Sequence, residues 1–209
     1  MIERKFVADR LKEFQIQEYI TETLKNVGHS HTKLMRTPLG EKIVVFTSRP
    51  GLVVGRKGEN IKKLTNTLKR RFGLENPQIE ISEVEQPLLD AQIVAERIAS
   101  TLETYGIQRF KAVAHKTIQD VMKAGALGIE IHLSGKVPSA RAKTWRFYKG
   151  YMKKCGDISL KVSRAQSTAA TKLGAIGVKV AIMPPDLLLP DDIEVIEVND
   201  EVQGIEKSE

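Results

Sequence analysis

Gly51 to Gly58, GLVVGRKG, runs without interruption into Glu59 to Phe72, ENIKKLTNTLKRRF, and the reading of this stretch decides the fold. In the second segment Ile61, Leu64, Leu68 and Phe72 recur at helical spacing, and Gly73 follows as a stop. The first segment is a short apolar turn closed by a glycine pair that brackets two cations. Upstream, Leu11, Ile16, Ile20, Leu24 and Val27 predict an amphipathic helix over 9–27 that ends at Gly28. Two strand-like runs lie between, His31–Thr37 and Glu41–Arg49, joined by a turn at Pro38, Leu39 and Gly40. Downstream, Ile79 and Ile81 alternate with polar neighbours and predict a closing strand. The predicted order is therefore α-β-β-α-α-β.

The four residues Gly55, Arg56, Lys57 and Gly58 carry the chemistry of this unit. Glycines at both ends let two short helices meet at a sharp angle and bring backbone amides close to a phosphate. Arg56 and Lys57 add charge, the following helix offers its N-terminus to anions, and Val53, Val54, Ile61 and Ile43 are candidates to line a groove for unstacked bases. A bare GxxG is also an ordinary turn. The flanking order of elements favours the clamp, and it resembles the KH fold of the second, prokaryotic type.

Pro87, in Glu83–Leu89, marks the expected boundary between residues 1–85 and a second unit over 86–183. Asp90–Leu102 and Ile107–Ala124 read as helices. The second carries Arg109, Lys116 and Lys123 seven residues apart, which keeps them along one side. From Gly125 the period changes to two. Ile129, Ile131 and Leu133, then Ile158, Leu160 and Val162, then Val178, Val180 and Ile182 predict strands, with a compact turn at Gly174–Gly177. The fold class is α+β: the KH-like unit, then a two-layer domain with two helices on a mostly antiparallel sheet. Residues 184–209 read as an extended, largely disordered acidic tail.

Charge separates the tail from the body. Pro184–Glu209 holds nine acidic residues and one base, Lys207, so the formal total of +7 less the tail's −8 leaves +15 on residues 1–183. Such a density points to a polyanionic partner. It is greatest at Lys136, Arg141, Lys143, Arg146, Lys149, Lys153, Lys154, Lys161 and Arg164, a run opposed only by Asp157. Trp145, Phe147, Tyr148 and Tyr151 interleave with these cations; half are expected in the core and half available for stacking.

Other functions find little support. No GxxxxGK[ST] is present, and Gly135-Lys136 is followed by Val137. His29 and His31 form an isolated HxH pair, Cys155 is the single cysteine and reads as a buried thiol, and Asp157 near Lys154 is too common a pairing to mark a catalytic site. No metal, cofactor, small-molecule substrate or catalytic residue is expected. No apolar run approaches the roughly 20 residues that span a bilayer, and Met1–Phe14 lacks the apolar region of an export signal, so a cytoplasmic protein with no membrane partner is expected.

Two longer motifs, Met122–Ala142 (MKAGALGIEIHLSGKVPSARA) and Lys172–Met183 (KLGAIGVKVAIM), combine with GRKG in a resemblance to the family of the third protein of the small ribosomal subunit, in its archaeal form. The resemblance covers roughly residues 1–183. It implies a place in the small-subunit head, the C-terminal domain on ribosomal RNA, the KH domain near the mRNA entry channel, and neighbouring head proteins as partners. In bacterial relatives the second helix of the C-terminal domain carries a basic cluster credited with melting mRNA structure. By register that cluster falls on Lys111, Ala112, His115 and Lys116. Ala112 has no charge and an ordinary histidine is mostly neutral at cytoplasmic pH, which shifts the implied burden to Arg109 or Lys116. The alternative reading is a free-standing KH regulator of single-stranded RNA.

Overall fold

The computed structural model describes residues 2–25, 27–37, 40–74, 76–138, 141–187, 189–190 and 193. Most of the acidic tail, including 194–209, lies outside the described residues, and so does the expectation that it is disordered.

Helix α1 (Ile2–Thr23) is followed by β1 (His29–Thr37) and β2 (Gly40–Thr47), which pair antiparallel. The chain then makes α2 (Pro50–Val54), the GRKG loop and α3 (Glu59–Phe72), and returns as β3 (Gln78–Glu83), parallel to β2. A parallel pair needs a crossover, and here the loop sits at its midpoint. The sheet order is β1-β2-β3. The helices pack on it through Ile16, Ile20, Leu24, Val53, Leu64 and Leu68, against Ile43 and Val45. The order is the α-β-β-α-α-β of the sequence reading.

The local reasons are mostly as read. Pro50 opens α2, where its missing N–H costs nothing. Gly73 closes α3 in the left-handed conformation, φ 63° and ψ 35°. The first helix differs: it starts at Ile2 rather than Asp9 and its regular part ends at Thr23 rather than Val27. Its first turns leave Phe6 and Val7 at 64% and 59% exposure, so no core-facing periodicity marked them as helical, and Leu11, read as part of the apolar face, is itself 55% exposed.

The second unit begins at α4 (Ala91–Tyr105), capped by Asp90, whose side chain accepts from the Gln92 amide at 2.9 Å. A short 3-10 turn over Ile107–Arg109 leads to α5 (Phe110–Lys123), and then come β4 (Gly128–Gly135) and β5 (Lys143–Gly150). One helical turn, α6 (Ile158–Lys161), precedes β6 (Ser163–Thr171) and β7 (Gly174–Met183). The sheet order is β5-β4-β7-β6 and every pairing is antiparallel. Helices α4 and α5 cover one face, burying Ile129, Ile131, Leu133, Val178, Val180 and Ile182. Among the described residues neither α4 nor α5 covers the opposite face, the open face of this sheet.

Three readings of this half are corrected. Ile158–Val162 is not a strand: the Ser159 and Leu160 amides donate to the Gly156 and Asp157 carbonyls, closing a helical turn, and Leu160 stands 85% exposed. Gly174–Gly177 is not a turn but the start of β7; the reversal lies at Lys172 and Leu173, where the Thr171 hydroxyl donates to the Gly174 carbonyl at 2.5 Å. Cys155 is exposed rather than buried.

The two halves touch where α4 meets β1. His29, 2% exposed, bonds through Nε2 to the Thr32 hydroxyl at 2.9 Å. Burial and the neighbouring His31 push its pKa down to about 4. Glu96 of α4 is buried nearby and accepts from Gln92 Nε2 at 3.3 Å; burial pushes its carboxyl up.

Candidate nucleic-acid interface

In the GRKG loop, Gly55 has φ 70° and ψ −177°, and a Cβ there would meet the Asn60 side chain at 2.6 Å. Asn60 in turn donates to the Leu52 carbonyl at 3.3 Å, tying α3 back onto α2 across the loop. Gly58 adopts φ 72°. Between them Lys57 is held at φ 54° and ψ 24°, the one left-handed non-glycine residue among those described. Strain of this kind persists only where the surroundings enforce it and gathers at functional loops. Arg56 and Lys57 are both exposed. Glu59, in the first turn of α3, pairs with Lys63 at 2.6 Å. Val53 and Ile43 are fully buried in the core, which corrects their candidacy as groove lining; Val54 and Ile61 remain half-buried beside the loop.

The open face of the second sheet follows from strand alternation. Since Ile129, Ile131 and Leu133 face the helices, Glu130, His132 and Ser134 face away. Register places Tyr148 and Arg146 of β5 opposite Glu130 and His132, and Ala181 and Lys179 of β7 on their other side. Arg164 and Gln166 of β6 lie next to Ala181 and Lys179. Glu130 is the hub. Its Oε1 accepts from Arg146 Nε at 2.5 Å, from Lys154 Nζ at 3.1 Å and from His132 Nε2 at 2.9 Å. Burial alone would raise its pKa, and the hydrogen bonds from Lys154, Arg146 and His132 outweigh that and hold it below the ordinary value. Arg146 also lies 4.7 Å over the Tyr148 ring, and Arg164 Nη2 donates to the Ser159 hydroxyl at 2.6 Å. Lys153 and Lys154 border a recess on this face together with Lys179 and Arg164.

A second cationic group forms at the edge where β5 meets α5. The Trp145 ring packs on Phe110 at 5.4 Å between centroids, and Lys111 and Lys143 approach it from the two elements at 5.1 and 4.5 Å. Trp145 Nε1 is buried without a hydrogen-bond partner. His115 stands edge-on to Phe147 at 5.3 Å. Arg109 lies 5.9 Å from the Tyr105 ring, and Lys116 is exposed farther along α5. Lys136 and Arg141 are exposed on the connection between β4 and β5, and Lys149 is exposed near the end of β5. Phe147 and Trp145 pack against the core while Tyr148 and Tyr151 are exposed, the even split the sequence suggested.

Thus the structure divides the cation run into groups that sequence order mixed together. Arg146, Lys153, Lys154 and Arg164 gather on the open face; Lys111 and Lys143 gather on Trp145; Gly55–Gly58 form the loop in the other half. Sequence reasoning missed Glu130, His132, Lys179 and Gln166. The alternation of Glu130 and His132 was legible, but their cross-strand partners depend on the β4–β7 pairing. Among the described residues no group of three or more His, Cys, Asp and Glu side chains is arranged to hold a metal, and no helix is long and apolar enough to cross a membrane. His31 is stacked on Phe46 at 4.3 Å.

Comparison with known proteins gives two family matches: a KH domain over residues 15–89, and the C-terminal domain of ribosomal protein S3 over residues 98–182. Small ribosomal subunit protein uS3 of Methanocaldococcus jannaschii is 44% identical over 210 residues, covering 100% of both chains. The uS3 of Methanococcus maripaludis is 45% identical over 197 residues, covering 94% of this chain and 92% of its own. That of Natronomonas pharaonis is 45% identical over 205 residues, covering 96% of this chain and 67% of its own.

Proposed function

Since the chain belongs to the small ribosomal subunit protein uS3 family, we propose that it is a structural RNA-binding component of the small-subunit head. Residues 86–183 bind ribosomal RNA, residues 1–85 present the KH loop to mRNA at the mRNA entry channel, and neighbouring head proteins complete its surroundings in the cytoplasm. The observation that carries this reading is the concentration of Arg146, Lys154 and Arg164 on an open sheet face, held by hydrogen bonds to Glu130 and Ser159 rather than left mobile. Ordered cations suit a fixed, folded polyanion better than a transient one, because their side-chain entropy is lost before binding. The exposed, strained GRKG loop is the part suited to a passing single strand. Replacing Arg56 and Lys57 by Asp is expected to weaken single-strand binding and to leave subunit incorporation intact.

Sedimentation of a native lysate through sucrose at low and high salt tests the reading. Stoichiometric comigration with small subunits that resists salt is expected. A peak confined to light fractions would overturn it in favour of a free-standing KH regulator of single-stranded RNA.

A further inference from the structure

The open face of the C-terminal sheet holds a recess of about 350 Å³, and two of the cations that carry the reading above, Lys154 and Arg164, stand at its edge. Its origin is a size mismatch. Ala181 lies between two long side chains, Glu130 on β4 and Arg164 on β6, by register. One methyl group where its neighbours extend several atoms leaves a hollow. The segment after β5 walls it with Met152 and Lys154. This wall is anchored: the Tyr151 amide donates to the Leu127 carbonyl at 2.9 Å, and the Leu127 amide to the Met183 carbonyl at 3.0 Å. The Tyr151 backbone lies directly on Gly128, where any Cβ would collide with it.

The chemistry around the hollow is one-sided. Lys154, Arg164 and Lys179 stand on its rim, and its one carboxylate, Glu130, is occupied by three donors. Gln166 brings an amide that both donates and accepts. A small apolar floor, a cationic rim and one amide match a planar, hydrogen-bonding group with a phosphate attached. The volume falls at the lower end of the roughly 300–1,000 Å³ of small-ligand sites. RNA differs from a protein partner in supplying such a unit wherever a base leaves the stack.

We infer that the recess over Ala181 seats a single unstacked nucleotide of bound RNA, its phosphate among Lys154, Arg164 and Lys179 and its base or ribose on Ala181 and Met152. The inference rests on the RNA-binding reading and adds to it a pocket that recognises shape as well as charge.

The test is an NMR titration of the full-length chain with each of the four ribonucleoside 5′-monophosphates and, separately, with inorganic phosphate. The Ala181 and Met152 methyl signals should move with at least one nucleotide, which should bind at least tenfold more tightly than phosphate. Ala181→Met fills the hollow without changing any charge; it should lower nucleotide affinity about tenfold and leave phosphate affinity and melting temperature as they are. Should A181M melt well below the wild type, Lys154→Gln takes its place, with a similar loss expected for nucleotide and phosphate alike. Equal affinity for nucleotide and phosphate, or an A181M variant that binds nucleotide normally, would overturn the pocket. Either result alongside salt-resistant comigration with small subunits would remove the pocket and keep the ribosomal reading. Nucleotide binding at Ala181 by a chain found only in light fractions would do the reverse.

Discussion

Lys57 and Glu130 show how much a single side chain can be asked to hold. Lys57 occupies a left-handed conformation that glycine would take without strain. The strain is about 1–2 kcal/mol and the extra chain entropy of glycine about 0.5–1 kcal/mol, so Lys57→Gly is expected to raise stability by roughly 0.5–1 kcal/mol while weakening RNA binding. Paired urea denaturation and filter-binding curves check both halves; a stabilised variant with undiminished RNA affinity would remove Lys57 from the interface. Glu130 makes the second case. Its carboxyl is held below the ordinary value by Lys154, Arg146 and His132 against the effect of burial. A depressed folded pKa contributes stability above the unfolded value, near 4.5, that disappears as pH falls through the lower folded value. Melting temperatures of wild type and Glu130→Gln should therefore differ at neutral pH and converge in acid.

At the scale of elements, strand alternation reassigns the cation run. Lys143, Trp145, Phe147 and Lys149 share one side of β5, and Thr144, Arg146 and Tyr148 share the other. Replacing Arg146 alone by Ala should flatten the dependence of RNA affinity on salt by about one slope unit, the value for one lost phosphate contact. Lys143→Ala should act mainly where Lys111 and Trp145 converge. Salt series on the two single variants, separately and combined, check this: a double variant with no greater change in slope than Arg146→Ala would place Lys143 outside the contact surface. The same elements show what was legible in sequence. Regular periods and caps marked α3, α4 and the apolar strands β4 and β7, because burial on one face imposes a repeat. β5 and β6 escaped notice because neither has a clean apolar face: β5 reads KTWRFYKG and β6 SRAQSTAAT, with only Ala169 of the latter fully buried. The GRKG loop was legible from its two glycines, whereas the open-face cluster depends on a register that joins residues far apart in sequence.

The molecule as a whole is two cores joined at a polar seam, and the seam sets its response to acid. His29 remains neutral in the folded chain down to about pH 4, whereas an unfolded histidine takes up a proton near 6.5. Between those values the unfolded state binds more protons, so stability falls as pH drops, by on the order of 3 kcal/mol across the window. Glu96 acts in the opposite sense, since its raised pKa costs stability as pH climbs above the ordinary carboxyl value. His29→Gln should flatten the stability profile between pH 6.5 and 4, as denaturant midpoints measured across that range would show. An unchanged slope would mean that the histidine is protonated while folded.

β7 is the last strand among the described residues and yet lies inside the C-terminal sheet, between β4 and β6. A nascent chain therefore holds β4 with one open edge, and β6 with no neighbour, until residue 183 has left the exit tunnel. At roughly 5–20 residues per second the stretch from the end of β6 at Thr171 to Met183 takes from about half a second to about two and a half seconds. During it, the β4 and β6 edges that β7 will cover are free on each new chain to meet those of the next, so the rate at which one short segment is translated bears on how safely the whole protein reaches its fold.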